Sequence, residues 1–298
     1  MPCSAVTLSL ATIFGILSVT LLTIAFTTDN WINVEVRRNN IQKYLTNNGN
    51  NAETQAVLED INSKYYYYSR TRGLFRICYP KERPPTVKTY LSPVETHCNN
   101  INYYFPDTDN ETSDFSEDAI TKLYMSRAVI ALFILSFVVT GISWITGIMG
   151  CWVRGAGRIA VTAALTLLSC LLAAGAMGLW HTVDYYEREK LVGEEFYQQW
   201  SQVLRDNAVV TYDWSFVLGW LSIAAQLTSC ILFFCASHCL SLEVEREKEA
   251  LAAANVQYIM PVYPQKQQYA YASYPAPPQA YPGPYYHGAA AQYGPYNY

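Results

Sequence analysis

Four apolar stretches divide this 298-residue chain into alternating apolar and polar segments. They lack acidic and basic side chains and span residues 6–27, 128–152, 159–180 and 216–240. A helix needs about 20 apolar residues to cross a hydrocarbon core of about 30 Å. Strands of a membrane barrel would instead alternate in polarity over about ten residues. The pattern therefore predicts a membrane protein with four transmembrane helices.

The first stretch has a second interpretation, a cleaved secretory signal. It lacks a positively charged segment at its start, and it offers no A-x-A-like cleavage site. Its apolar run also exceeds the usual length of a signal peptide's apolar region. We therefore predict a retained helix at 6–27, with a signal peptide as the weaker alternative.

The charges of one short link predict the orientation. Residues 153–158 carry Arg154 and Arg158 and no acid, and short loops rich in Arg and Lys stay cytoplasmic. The predicted helices are 6–27, 128–152, 159–180 and 214–240. The predicted cytoplasmic parts are 1–5, 153–158 and 241–298. The predicted outer loops are 28–126 and 181–213. Asn110 begins an N-x-T glycosylation sequon in the first outer loop, which is consistent with this orientation.

The cysteines sort by predicted compartment. Of the eight, only Cys78 and Cys98 fall in an outer loop. In an oxidising compartment two such thiols are expected to pair. We predict a Cys78–Cys98 disulfide, with two free thiols as the weaker alternative.

Three other cysteines lie at the inner ends of predicted helices. Cys151, Cys235 and Cys239 are candidates for reversible palmitoylation, and unmodified thiols are an equal alternative. His238 lies beside two of them, but a metal site there would lack a fourth ligand.

The first outer loop contains strand patterns. Ile32, Val34 and Val36 alternate with polar residues, as in a half-buried strand. Residues 65–79, YYYYSRTRGLFRICY, are rich in β-formers, and Gly73 within them indicates a bulge or a close backbone approach. Residues 101–105 form another candidate strand, and one or two helical turns are expected near 52–61. These patterns predict a small antiparallel sheet on top of the bundle.

Charge in this loop is segregated by sign. Residues 64–88 hold seven basic residues and one acid, whereas 89–118 hold seven acids and no Lys or Arg. A solvated surface whose halves attract each other is the slightly favoured interpretation. The alternative is a surface that selects partners or ions by sign. Under that hypothesis Arg70, Arg72 and Arg76 are the candidates for charge selectivity.

The C-terminal tail changes composition abruptly. Residues 258–298 hold eleven of the 25 tyrosines, with Pro, Gln, Ala and Gly and no apolar periodicity. We predict disorder there. The Tyr-Pro repeats are suited to a cytoplasmic scaffold or adaptor, and a passive low-complexity tail is the alternative.

Catalysis and nucleic-acid binding find no support. The four histidines are scattered, and no P-loop, H-E-x-x-H or nucleophile elbow is present. The net charge is -4, which argues against nucleic acid as a partner. We predict a protein that is not an enzyme and that has no cofactor or metal ion.

Several short motifs together resemble the claudin superfamily, which includes claudins, the peripheral myelin protein group and stargazin-type channel subunits. The resemblance extends over about residues 5–240. Its residues are Trp31, Gly73-Leu74-Phe75, Cys78, Cys98, Arg127 and the YDWSF stretch that holds Tyr212 and Trp214. Phe75 departs from the family's usual Trp, the cysteine spacing is wide, and the YNY ending differs from the usual Tyr-Val. A divergent member of invertebrate origin is therefore expected.

The resemblance implies a fold and two functions. The fold is a four-transmembrane-helix bundle with a small extracellular antiparallel β-sheet, in which Gly73-Leu74-Phe75 forms an apolar wedge. The disulfide holds the third and fourth strands together, and Arg127 meets carbonyls or a carboxylate where the sheet reaches the membrane. One function is a plasma-membrane cell-junction protein (septate or tight junction) that binds itself or other claudin-like proteins in cis and in trans, for adhesion, a paracellular barrier or charge-selective permeability. The alternative is a stargazin-like auxiliary subunit of a channel or receptor.

Overall fold

The computed structural model describes residues 3–49, 52–94, 96–104, 116–152, 155–193 and 195–259. Two compact units are distinguished, Met1–Ala250 and Leu251–Tyr298. The first unit holds a helix bundle and a β-sheet. Of the second unit, residues 251–259 are described, and they are helical. The first two residues of the predicted disordered tail, 258 and 259, are therefore helical, and the rest of the tail lies outside the described residues.

Four long helices form the bundle: α1 (Cys3–Thr27), α4 (Glu117–Trp152), α5 (Ala156–Tyr185) and α7 (Trp214–Ile259). Each is long and apolar enough to cross a membrane. Three of them extend past the apolar segments. α7 continues from residue 240 to Ile259. At the end near the sheet, α4 begins at Glu117 rather than near residue 128, and a π-helical turn at Tyr186–Lys190 continues α5. Their polar ends therefore project beyond the apolar stretches toward the sheet.

Hydroxyl side chains connect the helices at buried positions. Ser169 on α5 lies 2.8 Å from Ser136 Oγ and 2.6 Å from Thr140 Oγ1, both on α4. Gln226 on α7 donates from Nε2 to Ser169 Oγ at 2.8 Å. On the other side of α7, Ser229 Oγ donates to the Ala11 carbonyl of α1 at 2.7 Å. Such bonds stabilise helix association where lipid supplies no hydrophobic driving force.

Six antiparallel strands form one sheet: β1 (Ile32–Val36), β2 (Arg70–Arg72), β3 (Arg76–Tyr79), β4 (Tyr90–Leu91), β5 (His97–Asn100) and β6 (Ala208–Tyr212). Their order is β4-β5-β3-β2-β1-β6. The predicted alternation of β1 is confirmed, since Ile32, Val34 and Val36 are buried. The sixth strand comes from the segment between α5 and α7 and pairs with β1 along its whole length.

Short helices cover part of the sheet and close the same core. They are α2 (Arg38–Asn47), α3 (Ala52–Ser63) and α6 (Gln202–Asn207). Ile41 of α2, Val57 of α3 and Leu204 of α6 are buried in one cluster with Trp31 and Phe133. The sheet, its helical cover and one end of the bundle therefore share a continuous apolar core.

Two local expectations were wrong, and one was resolved. Tyr65–Tyr67 form a 3-10 turn rather than a strand, because the Tyr66 and Tyr67 side chains turn into the core. Of the two alternatives for Gly73, the close backbone approach is confirmed: Gly73 lies in the turn between β2 and β3 against the backbone of Asp29, and its N–H donates to the Arg76 carbonyl. Residues 101–104 are not a strand, since β5 ends at Asn100. β5 is instead the strand that holds Cys98.

Candidate interaction site at the junction of sheet and bundle

Trp31 joins the sheet to all four long helices. It is fully buried, and its indole N–H donates to the Ala25 carbonyl of α1 at 2.8 Å. Its ring lies 5.9 Å from Phe133 of α4, 5.1 Å from Trp180 of α5 and 6.2 Å from Phe216 of α7, each measured between centroids. The Ala25 carbonyl lies in the last turn of α1, where such groups have no partner within the helix. Trp31 therefore caps one helix while it packs against three others.

Gly73, Leu74 and Phe75 fill the space beside Trp31. A Cβ on Gly73 would lie 2.6 Å from the Asp29 Cα and 3.0 Å from the Thr28 carbonyl oxygen, so the two backbones touch. Leu74 is buried in the core cluster, and the Phe75 ring meets Phe26 of α1 edge to face at 5.1 Å. The turn between β2 and β3 is thus an apolar wedge against the exit of α1, as the resemblance implied.

The Cys78–Cys98 disulfide links β3 to β5, where the two residues face each other in register. The predicted pairing is confirmed. In chain order these are the third and fifth strands rather than the third and fourth, because the two-residue strand β4 intervenes. The bond closes a segment with a sequence separation of 20, which includes the outermost strand.

Removing the disulfide should destabilise the sheet. For the double variant Cys78→Ser/Cys98→Ser we expect a loss of about 3 kcal/mol, since a loop of this length loses about that much chain-entropy stabilisation. Thermal unfolding in detergent should then fall by roughly 6–12 °C. Reductant should lower the melting temperature of the wild type and leave the variant unchanged. Equal melting temperatures for the two proteins would contradict this role.

Arg127 of α4 connects the helix bundle to the segment that follows β5 by hydrogen bonds. Its Nε donates to the Tyr103 carbonyl at 2.9 Å, and a second guanidinium nitrogen reaches the same oxygen. The Tyr103 hydroxyl in turn donates to the Leu74 carbonyl at 2.6 Å. This places Arg127 against a carbonyl at the sheet–bundle boundary, where the resemblance implied it.

Tyr212 and Trp214 lie at the entry to α7 and differ in exposure. The Tyr212 ring stacks on Phe216 at 4.4 Å, and its hydroxyl donates to Asp184 Oδ2 at 2.8 Å. Burial, and then the hydrogen bond to the Asp184 carboxylate, raise the pKa of Tyr212 to about 12. Trp214 is exposed on the bundle surface.

Arg70 and Arg72 face a cleft between the sheet and the segment that follows α5. Six charged side chains line it, and we call it the arginine cleft: Arg70, Arg72, Asp184, Glu187, Arg188 and Glu195. The Arg72 side chain is only 14% exposed, and its guanidinium pairs with Glu187. Arg70 donates to the carbonyls of Tyr66 and Tyr68 at 3.2 and 3.4 Å. Burial lowers the pKa of both arginines, which remain protonated at neutral pH.

The third candidate for charge selectivity, Arg76, lies outside that cleft. Its guanidinium pairs with Asp29 at 2.6 Å, next to the close approach at Gly73. Three other basic residues of the same segment are exposed: Lys81, Arg83 and Lys88. The structure therefore divides the basic segment into a paired or buried group and an exposed group.

One edge of the sheet presents exposed apolar side chains. β4 is the outermost strand, and Leu91 in it is 62% exposed. Val94 in the following turn is 78% exposed, and Tyr90 is exposed as well. Natural proteins usually shield such edges, so a large apolar group there marks a contact surface. We call Tyr90, Leu91 and Val94 the edge patch.

The remaining predicted sites are only partly described. Cys235 is exposed and Cys239 is half-buried on α7, and Cys151 lies in α4 without a described side-chain environment. Asn110 lies outside the described residues. Within the described part of the chain, no group of three or more His, Cys, Asp or Glu side chains is arranged to hold a metal ion.

Sequence reasoning missed the partners in the arginine cleft. Tyr65 donates its hydroxyl to Glu195 Oε2 at 2.8 Å, and Asp184 accepts from Arg188 Nε at 2.9 Å. Burial and the neighbouring Glu195 carboxylate raise the pKa of Tyr65. The Asp184–Arg188 pair had a local signal, since the two residues are four apart in the charged continuation of the third apolar helix. The contact between Tyr65 and Glu195 had none, because the two residues lie 130 positions apart.

A family model described as PMP-22/EMP/MP20/Claudin tight junction matches residues 16–235 of the chain. The matched range begins within α1 and ends within α7, so it includes the whole sheet and most of the bundle. A search of curated proteins finds no match to the chain. The resemblance drawn from Trp31, the Gly73–Phe75 wedge and the two cysteines is thereby confirmed. The predicted fold class, four membrane helices with a small antiparallel sheet, is confirmed too.

Proposed function

We propose that this chain, which belongs to the PMP-22/EMP/MP20/Claudin family, acts at cell–cell contacts. There it adheres to neighbouring cells and seals or selectively gates the space between them. The chain is a multi-pass membrane protein with four apolar helices long enough to span a bilayer. The proposed activity consists of lateral and trans contacts with copies of itself or with other claudin-like proteins. The edge patch is the observation that carries this proposal.

The orientation that this function requires puts the sheet outside the cell. The disulfide between β3 and β5 supports that orientation, since such bonds persist in oxidising compartments. The basic link at 153–158 supports it from the other side of the bundle, because short basic loops remain in the cytoplasm. Both termini would then be cytoplasmic, and Asn110 would be accessible for glycosylation.

The edge patch is suited to contacts with another copy. Among the described residues β4 has one strand neighbour, β5, so its outer backbone groups face no other described strand and could pair with an added one. Exposed Leu91 and Val94 would add apolar contact area to such an interaction. We propose that this edge forms one of the contacts by which copies assemble.

The decisive experiment uses epithelial cells that lack endogenous claudins. Full-length protein should concentrate at cell contacts and change transepithelial resistance or dilution potentials. The variant Leu91→Gln/Val94→Gln should reach the surface, because both side chains are exposed, and should lose enrichment at contacts. Diffuse surface signal of the wild type without an electrical change would overturn the junction function, while enrichment of the variant equal to wild type would overturn the role of the edge patch.

If the basic segment selects ions, its exposed members are the better candidates. Lys81 pairs with Glu35 at 2.8 Å, which leaves Arg83 and Lys88 as exposed residues of the segment without an ion pair in the described structure. We expect Arg83→Gln/Lys88→Gln to lower the anion preference in dilution-potential measurements and to leave folding unchanged. The matched control is Lys43→Gln, an exposed lysine on α2. An unchanged preference in the double variant would contradict selectivity by this surface.

The original hypothesis for Arg70, Arg72 and Arg76 stays a proposal with a distinct signature. Because Arg72 pairs with Glu187 and Arg76 with Asp29, substitution of these residues would alter the fold as well as the surface charge. A selectivity change in their Gln variants supports the hypothesis only where surface expression and melting temperature match the wild type.

A second candidate function is that of a stargazin-like auxiliary subunit of a channel or receptor. The exposed side of α7 favours it, since Trp214, Val217 and Leu221 lie on one lateral face of that helix. Such a face can contact a membrane helix of another protein. Co-purification of one channel or receptor in stoichiometric amount, lost in Val217→Trp/Leu221→Trp, would favour this function. If no channel or receptor were cross-linked to the protein in a membrane preparation, this second function would be contradicted.

The cytoplasmic parts have proposed roles in attachment. The Tyr/Pro-rich tail is proposed to bind a scaffold or adaptor, and Cys151, Cys235 and Cys239 are proposed palmitoylation sites. The exposure of Cys235 supports its access to a modifying enzyme. Acyl-exchange labelling of Cys235→Ser against wild type tests the modification directly.

A further inference from the structure

The arginine cleft balances three guanidiniums against three carboxylates among the described residues. Its carboxylates are Asp184, Glu187 and Glu195, and its guanidiniums are Arg70, Arg72 and Arg188. Lys122 of α4 lies beside them, with its Nζ 3.6 Å from Glu187 and 5.7 Å from the centroid of the Phe196 ring that lines the cleft. Burial, and then the charge of Arg72, lower the pKa of Lys122 to about 7, so it supplies only part of a positive charge at neutral pH. The net charge of the described cleft is therefore between zero and slightly positive.

The carboxylates are already engaged. Asp184 accepts from Arg188 and from the Tyr212 hydroxyl, Glu187 pairs with Arg72 and Lys122, and Glu195 accepts from the Tyr65 hydroxyl at 2.8 Å. Arg70 makes no carboxylate contact within ion-pair distance in the described structure, and its hydrogen bonds go to backbone carbonyls. The three carboxylates therefore all have partners, whereas Arg70 has no anionic partner among the described residues.

Two cationic donor atoms are buried there without an acceptor. Arg72 Nε and Arg188 Nη2 have no hydrogen-bond partner among the described residues, and both side chains line the cleft. A buried charged donor that stays unpaired destabilises the folded protein, and a bound anion that accepts its hydrogen bond removes this cost. The two N–H groups are therefore suited to an acceptor that carries a negative charge.

The size of the cleft limits that acceptor. Its volume is about 90 Å³. A water molecule needs on the order of 10–15 Å³ of such volume, so the cleft accommodates a small ion with a few waters and excludes a peptide. Trp200, Tyr197 and Phe196 form its apolar wall, which lowers the local dielectric and strengthens binding of a single charge.

We propose that the arginine cleft binds one monovalent inorganic anion of the chloride class, held by Arg72 and Arg188 between the sheet and the segment after α5. The anion accepts from the two N–H groups that lack a described partner and joins the sheet, through Arg72 on β2, to the π-helical turn that carries Arg188. The site is separate from the proposed cell-contact surface, and it requires no particular partner protein.

The test titrates chloride against gluconate at constant ionic strength, with purified full-length protein in a non-ionic detergent. Gluconate is too large for the cleft. We expect the melting temperature to rise with chloride and to saturate, by roughly 3–8 °C in total, because a ligand of the folded state stabilises it by mass action. Broadening of the chloride-35 NMR signal should saturate at the same concentration. A melting temperature that changes linearly without saturation, together with no protein-specific broadening, would overturn the proposal.

Two variants should move the half-saturating concentration in opposite directions. Arg188→Gln should raise it about tenfold, and Glu195→Gln, which removes a negative charge and keeps a hydrogen-bond acceptor for Tyr65, should lower it about tenfold. The matched control is Arg205→Gln, since Arg205 donates to the Gln198 carbonyl and does not line the cleft. If Arg188→Gln fails to fold, the wild-type NMR titration and Glu195→Gln still decide the question. Equal half-saturation in wild type and Glu195→Gln would refute the location of the site.

Discussion

Replacing Gly73 by alanine is expected to cost about 3 kcal/mol of folding free energy, because the new methyl group overpacks a contact between two backbones. The Asp29 Cα would lie 2.6 Å from the added Cβ, and the Thr28 carbonyl oxygen would lie 3.0 Å from it. Backbone atoms cannot rotate aside as a side chain can. The wedge would have to withdraw from the exit of α1, which would also strain the Arg76–Asp29 ion pair.

Thermal unfolding in detergent and surface delivery in cells measure this effect. A fall in melting temperature of roughly 6–12 °C is expected, with retention of the variant inside the cell. Gly141→Ala is the matched control, since nothing lies within 4 Å of a Cβ at that position on α4. A Gly73→Ala protein as stable as Gly141→Ala would show that the wedge can move without loss.

Replacing Trp31 by alanine is expected to destabilise the protein by about 4 kcal/mol, the largest effect among these substitutions. The change removes ring contacts to Phe133, Trp180 and Phe216 and leaves the Ala25 carbonyl without its donor. Since the side chain contacts all four long helices, its loss should separate the sheet from the bundle. We expect earlier unfolding and proteolytic sensitivity of the segment between α1 and β2.

Trp31→Phe separates the contribution of the ring contacts from that of the hydrogen bond to the Ala25 carbonyl. It keeps most of the ring area and loses the indole N–H, so we expect a smaller loss of about 1–2 kcal/mol. The matched control is Trp220→Ala, which removes an indole from an exposed position on α7. If Trp31→Ala melted at the same temperature as Trp220→Ala, the central role of Trp31 would be wrong.

These two substitutions also distinguish structural from functional failure. A junction protein that lacks the wedge or Trp31 should be lost before it reaches the cell surface. The edge-patch variant Leu91→Gln/Val94→Gln should instead arrive and fail to concentrate at contacts. Measuring surface delivery together with contact enrichment therefore assigns each phenotype to folding or to recognition.

Local patterns were sufficient for several parts of the structure. The four helices follow from long uncharged apolar runs, and β1 follows from the alternation at Ile32, Val34 and Val36. Both patterns can be recognised because the helix and strand periods repeat within a short stretch of sequence. The Cys78–Cys98 pair followed from compartment alone, since the other cysteines lie in or near the apolar helices. Local patterns failed at Tyr65–Tyr67, where aromatic residues typical of strands turn into the core instead.

The sequence by itself determined the four apolar helices, the strand β1, the disulfide and the family motifs of this protein. Only the tertiary structure decided which charges are exposed and what Gly73 and Trp31 contact. Arg70 and Arg83 look alike in the chain, yet one faces a cleft built by residues 184–200 and the other faces solvent. Likewise, β6 joins β1 across more than 170 residues of sequence. Such pairings depend on how distant segments pack, and that information is distributed over the whole chain rather than held in any single stretch.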